Sequence, residues 1–223
     1  MSKHSPIAPK GSRMIRSETI IKHVIGPDVL DIGCAGHKVT PDSPYWLHGR
    51  LREKFPSIFG LDYSAENIKT MIDLGFENIF VGNAEEFIFD KKFDTIVAGE
   101  LIEHLSNPGD FMQSCANHLK PGGRLVLTTP YAFSLLYILY AFLKFPKTCE
   151  NDEHSIWFCP QTLGELAGRS GFNIMFWELI EDYEFDNPSF LYRLFARFVT
   201  SVGRLLLPKR LRHNVILCVL QWE

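Results

Sequence analysis

The chain's 223 residues, 46% apolar and 22% charged, suffice for one core of ordinary size and exclude a disordered or low-complexity protein. A formal charge of −3 excludes a globally basic nucleic-acid coat. The five cysteines, Cys34, Cys115, Cys149, Cys159 and Cys218, are scattered and form no Cys-x-x-Cys pair. That spacing argues against a zinc knuckle or a disulfide framework and suits a reducing compartment. Met1 to Gly11 holds no apolar signal core, so a cytoplasmic location is expected.

In chain order, the first element is a helix over Ser17–Val24. A buried strand, Asp28-Val29-Leu30-Asp31-Ile32, follows and is closed by Gly33-Cys34-Ala35-Gly36. A helix is expected within Pro44–Phe55, and a strand at Ile58–Leu61 ends in Asp62. Ser64 caps a helix through about Leu74, with Gly75 as its stop. Strands follow at Asn78–Val81, Phe93–Ala98 and Arg124–Thr129. Between the last two lies a helix over Pro108–Leu119, ended by Pro121-Gly122-Gly123. Gln161–Gly171 reads as a helix capped by Thr162. Phe172–Trp177 and Asn214–Leu220 read as strands paired antiparallel at one edge of the sheet.

Short apolar strands alternating with helices predict an α/β fold with a mostly parallel sheet covered on both faces. In such sheets ligands sit beyond the carboxyl ends of the strands. Four successive strand ends carry polar or glycine residues: Asp31 with Gly33–Gly36, Asp62, Asn83 with Glu85, and Glu100–His104. That pattern favours an enzyme or binding site over a structural module. A carboxylate directly after the second strand is suited to accept both hydroxyls of a ribose, because it is only an acceptor and takes two donors at once.

The strings Val29-Leu30-Asp31-Ile32-Gly33-Cys34-Ala35-Gly36, Gly60-Leu61-Asp62-Tyr63-Ser64, Gly82-Asn83-Ala84-Glu85, Phe93-Asp94-Thr95-Ile96-Val97, Glu100-Leu101-Ile102-Glu103-His104-Leu105 and Leu119-Lys120-Pro121-Gly122-Gly123 stand in this order. Together they resemble the class I S-adenosylmethionine-dependent methyltransferases, over roughly residues 25–180. The nearest branch includes the ubiquinone-biosynthesis and glycan-cluster methyltransferases. The resemblance implies a single three-layer Rossmann-like domain whose seven-stranded sheet is mostly parallel with its last strand antiparallel. It implies S-adenosylmethionine as cofactor, its methionine end lined by Asp31, Gly33, Cys34, Ala35 and Gly36. Asp62 would hold the ribose, Tyr63, Asn83, Ala84 and Glu85 would edge the adenine, and Glu100 with Leu101 would stand beside the methyl-donating centre. The sequence departs from the family pattern at His37, which replaces a small residue, and in the long Asp31-to-Asp62 separation, which suggests an enlarged loop or helix over the site.

Methyl transfer to a hydroxyl requires alignment, exclusion of water and removal of a proton. His104 and His154 are the candidate bases. Glu100, Glu103, His104 and His154 also resemble the metal-binding set of small-RNA 2′-O-methyltransferases, but the reading adopted assigns no metal to them. The expected acceptor is a small-molecule or saccharide hydroxyl, with lipid attachment allowed. The alternatives are a quinone-pathway or RNA 2′-O-methyltransferase and a non-catalytic S-adenosylmethionine-binding protein. A nicotinamide-dependent dehydrogenase would want a fuller glycine fingerprint.

Two segments remain. The apolar run 131–152 fits a lid, a dimer surface, a membrane-touching helix or a plain core helix. Residues 187–223 carry six bases against one acid, whereas residues 1–186 carry 25 acids and 17 bases. Within this tail, 188–212 reads as a basic amphipathic helix and tips the expectation toward peripheral contact with an anionic surface or a lipid-linked acceptor. No nucleic-acid partner is expected.

Overall fold

A computed structural model describes residues 16–41, 43, 45–144, 151–182 and 205–223. The sheet has seven strands: β1 (Val29–Ile32), β2 (Phe59–Asp62), β3 (Ile79–Val81), β4 (Phe93–Gly99), β5 (Leu119–Pro130), β6 (Phe172–Ile180) and β7 (Val215–Trp222). Their order is β3-β2-β1-β4-β5-β7-β6. β1 to β5 run parallel, and β7 is antiparallel to both β5 and β6. This is the Rossmann-like, class I methyltransferase architecture.

The near-continuous apolar strands are explained by two covered faces. Successive side chains alternate between faces. Leu30, Ile32, Ile96, Ala98, Leu125 and Leu127 thus join one core with Phe111, Met112 and Cys115 of α4 (Pro108–His118) and with Leu163 and Ala167 of α6 (Pro160–Arg169). Val29, Val97, Val126, Leu217 and Val219 join the other with Ile20 and Ile21 of α1 (Arg16–Ile21) and Leu51 of α2 (Leu47–Lys54). The outcome is three layers.

Local signals set several boundaries. Ser64 accepts from the Asn67 amide at the start of α3 (Ala65–Asp73), and Gly75, at φ +81°, ends that turn. Pro108 follows the Asn107 cap of α4. Elsewhere the structure corrects the sequence. Pro121-Gly122-Gly123 does not end α4 ahead of a separate strand. It lies within β5, where Gly122 at φ +75° and a register shift opposite Phe93 and Thr95 form a bulge. The cap of α6 is Cys159; Thr162 is its reciprocal partner, accepting from the Cys159 amide at 3.0 Å. The sheet edge is β6, because the apolar β7 is buried on both faces between β5 and β6.

The apolar run contributes α5 (Leu135–Lys144), which is no core helix: Phe142 is 83% and Leu143 71% exposed. Most of the expected 188–212 helix lies outside the described residues. Its end is the short turn α7 (Lys209–Arg212), which packs against α5.

Candidate active site

The polar strand ends converge where β1, β2 and β4 stop. Gly33 and Gly36 adopt φ of +80° and +60°, a conformation that favours glycine. The turn folds over β2 because the amides of Gly33 and Cys34 both donate to the Leu61 carbonyl, at 2.8 and 3.2 Å. Asp62 then ties the turn down. Its Oδ2 accepts from the Ala35 amide and its Oδ1 from the Ser64 amide, each at 3.0 Å.

A carboxylate offers about four acceptor directions, so Asp62 retains capacity for two further donors. Gly36 is exposed, and a Cβ built on it would meet no described residue within 4 Å. Vicinal ribose hydroxyls beside Asp62 and a chain passing the open glycine backbone are thus compatible with this donor set. The residues fit an S-adenosylmethionine-type nucleoside.

Not every residue named from sequence presents its side chain to that space. Cys34 turns its thiol inward under β2, where a Cβ on Gly60 would come within 2.8 Å of its Sγ. Burial, then the Asp31 and Asp62 charges, push that thiol far above its ordinary range. The Glu85 carboxylate accepts from the Asn107 amide at 2.8 Å and so serves the start of α4. Asn83 accepts from the Glu85 amide, Ala84 is buried, and Tyr63 is largely exposed after Asp62.

At the end of β4, Glu100 takes a φ of +51°, a strained choice for a non-glycine residue that costs on the order of 1–2 kcal/mol. Its amide donates to the Thr128 carbonyl, and its carboxylate stands 3.7 Å from Arg16, which also pairs with Asp182 at 3.1 Å. Leu101 meets the glycine turn directly: a Cβ on Gly33 would lie 3.4 Å from its Cδ1. One turn further on, Glu103 is buried and accepts from the Thr129 hydroxyl at 2.9 Å. The Glu103 carbonyl receives the Ser155 amide and hydroxyl, at 2.9 and 3.1 Å. Those bonds bring the neighbouring His154 back over the turn.

His104 and His154 therefore meet, ring centroids 4.7 Å apart and nearly perpendicular. Ligand atoms of Glu103, His104 and His154 lie within 4.8 Å of one another. Burial lowers the His104 pKa, aided by the neighbouring His37, whose ring stands 6.1 Å away. Burial, then His104 and His37, push His154 down to about 4. Glu103 shifts the other way, raised well above the usual carboxylate range by burial and then by the Glu100 charge. Among the described residues, buried Glu103 Oε1 and His154 Nδ1 have no hydrogen-bond partner. The sequence missed Thr129, Arg16 and His48, whose Nδ1 lies 2.9 Å from Asp31 Oδ2. Only the unusual length of the β1–β2 connection hinted at the last.

The family model for a methyltransferase domain matches residues 8–175. The chain belongs to this family. Among curated relatives, the methyltransferase is 30% identical to the human mitochondrial ubiquinone biosynthesis O-methyltransferase over 169 residues, covering 69% of this chain and 43% of that protein. The rat counterpart is 35% identical over 128 residues, covering 53% of this chain and 35% of that protein. The chain thus spans less than half the length of these mammalian relatives. A solved S-adenosylmethionine-dependent methyltransferase from Methanosarcina mazei superposes with a TM-score of 0.61 at 18% identity, over 92% of this chain and 96% of that one. At that identity the likeness shows the fold.

Proposed function

We propose that the protein transfers a methyl group from S-adenosylmethionine to a hydroxyl of a small, apolar acceptor of the phenol or quinol class. The carrying observation is the adjacency of two half-sites: the turn held by Asp62 and the Glu103–His104–His154 cluster, joined through Gly33 and Leu101. The ubiquinone-pathway relatives favour the aromatic hydroxyl over the saccharide expected from sequence. When bound, the cofactor supplies an electrophilic methyl on a sulfonium. The turn and Asp62 would hold it, Leu101 would pack beside the turn, and His104 or His154, each with its pKa lowered below the ordinary imidazole value, would take the hydroxyl proton as the methyl passes from sulfur to the acceptor oxygen. Incubation with methyl-labelled S-adenosylmethionine and a catechol, quinol and sugar panel tests this. Label is expected in an aromatic methyl ether, with S-adenosylhomocysteine formed in equal amount. Label in a sugar alone overturns the acceptor class, and none in any acceptor overturns methyl transfer to these hydroxyls.

A second reading has its own observation. Glu103, which an ion would hold ionised, and two imidazoles, with Glu103 Oε1 and His154 Nδ1 unpartnered among the described residues, form a donor set suited to a divalent transition ion. Such an ion would hold the acceptor oxygen and make its proton easier to lose.

The acceptor's delivery is also part of the proposal. Among the described residues no helix is long and apolar enough to cross a membrane. Yet α5 exposes Leu136, Ile138, Leu139, Phe142 and Leu143 beside the basic α7. Apolar side chains flanked by lysine and arginine match an anionic lipid surface. Replacing Lys209 and Arg210 by Gln, with Phe142→Asn, is expected to abolish sedimentation with phosphatidylglycerol vesicles while leaving turnover of a soluble acceptor intact. Unchanged sedimentation overturns the membrane role.

A further inference from the structure

The long connection between β1 and β2 is built against the glycine turn from behind. Trp46, which precedes α2, donates its indole Nε1–H to the Cys34 carbonyl at 2.9 Å. Gly49 leaves room for that indole, since a Cβ there would lie 2.8 Å from Trp46 Cε3. Two residues after Trp46, the His48 Nδ1 meets Asp31 Oδ2 at 2.9 Å, with both side chains almost completely sealed from solvent.

A buried carboxylate and a buried imidazole are expensive to hold apart from water unless each satisfies the other. Core packing alone would be served at least as well by an apolar pair of the same volume. Burial pushes the Asp31 carboxyl up, the His48 hydrogen bond pulls it down, and the Asp62 charge adds to the upward push. Asp31 thus lies in the field of the carboxylate that fixes the other side of the turn. The turn is gripped at two consecutive sites, Cys34 by Trp46 just ahead of α2 and Ala35 by Asp62.

Resting on the cofactor site proposed above, we infer that His48, with Trp46, is a positioning residue for that cofactor's amino-acid end. It orients the Asp31 carboxylate and, through the same short segment, holds the Cys34–Gly36 backbone in the shape that receives the charged methionyl group. The adenosine half is served by Asp62, which is anchored on its other side by the Ser64 amide outside the turn, and should be largely spared.

Two probes separate these halves: S-adenosylhomocysteine, which has the amino-acid end, and 5′-methylthioadenosine, which lacks it. Calorimetry on the full chain is expected to show His48→Leu weakening S-adenosylhomocysteine roughly ten- to hundredfold, the effect of losing a hydrogen bond to a charged group. Methylthioadenosine should bind as in the wild type. His48→Asn, whose amide N–H can occupy the place of Nδ1–H, should restore most of the loss. Trp46→Phe keeps an aromatic ring but removes the donor to Cys34, and it should show the same selective loss if His48→Leu does not fold. Equal weakening of both probes, or of neither, overturns the positioning role. Failure of the wild type to bind either probe overturns the cofactor site itself, a distinct result.

Discussion

Asp62→Ala is expected to weaken S-adenosylhomocysteine binding by about 1–3 kcal/mol, or roughly five- to 150-fold. Two losses combine. The ribose hydroxyls lose an acceptor that still has free directions, and the Ala35 and Ser64 amides lose the oxygens that fix the turn and the start of α3. Asp62→Asn is no neutral control. Its amide nitrogen would face one of the two N–H groups donor to donor, so a substantial part of the loss should persist. Titration calorimetry checks both variants, and circular dichroism shows whether the sheet survives. An unchanged dissociation constant removes Asp62 from the cofactor site.

His104→Ala and His154→Ala, made separately, are expected to lower kcat by about 10²–10⁴ with cofactor affinity near normal, the range of general-base contributions. Both residues lie outside the strands and are partly buried. Glu103→Gln keeps the shape and an acceptor for Thr129 but removes the acid, so it should fall in the same range where the cluster holds an ion and cost far less where an imidazole acts as the base. A chelator divides the two readings. Activity lost to it and restored by a divalent ion makes the cluster a metal centre, whereas activity indifferent to it leaves an imidazole base. Normal turnover in both histidine variants would exclude either role.

The central alternation of strands and helices was legible because it depends on neighbours in sequence. The apolar runs of β1, β2, β4 and β5, the Ser64 cap and the stop at Gly75 follow from local sterics and hydrogen bonding. The polar strand ends followed from the same pattern, since a parallel sheet places all its carboxyl ends on one edge. The bulge at Pro121-Gly122-Gly123 was less legible. The same tripeptide ends a helix or kinks a strand, and only pairing with β4 selects the latter.

The sequence alone determined the α/β class, the family and the residues at the strand ends, because these arise from spacing along the chain and from which side chains can cap, turn or accept. Tertiary structure alone decided that β7 lies inside β6, that the Cys34 thiol faces the core, and that Asp31 answers to His48. It also brought His154 fifty residues back to Glu103 and His104, through hydrogen bonds from Ser155. Such pairings join positions far apart in the chain. Their free energy comes from burial and from satisfying polar groups in three dimensions, which no local pattern encodes.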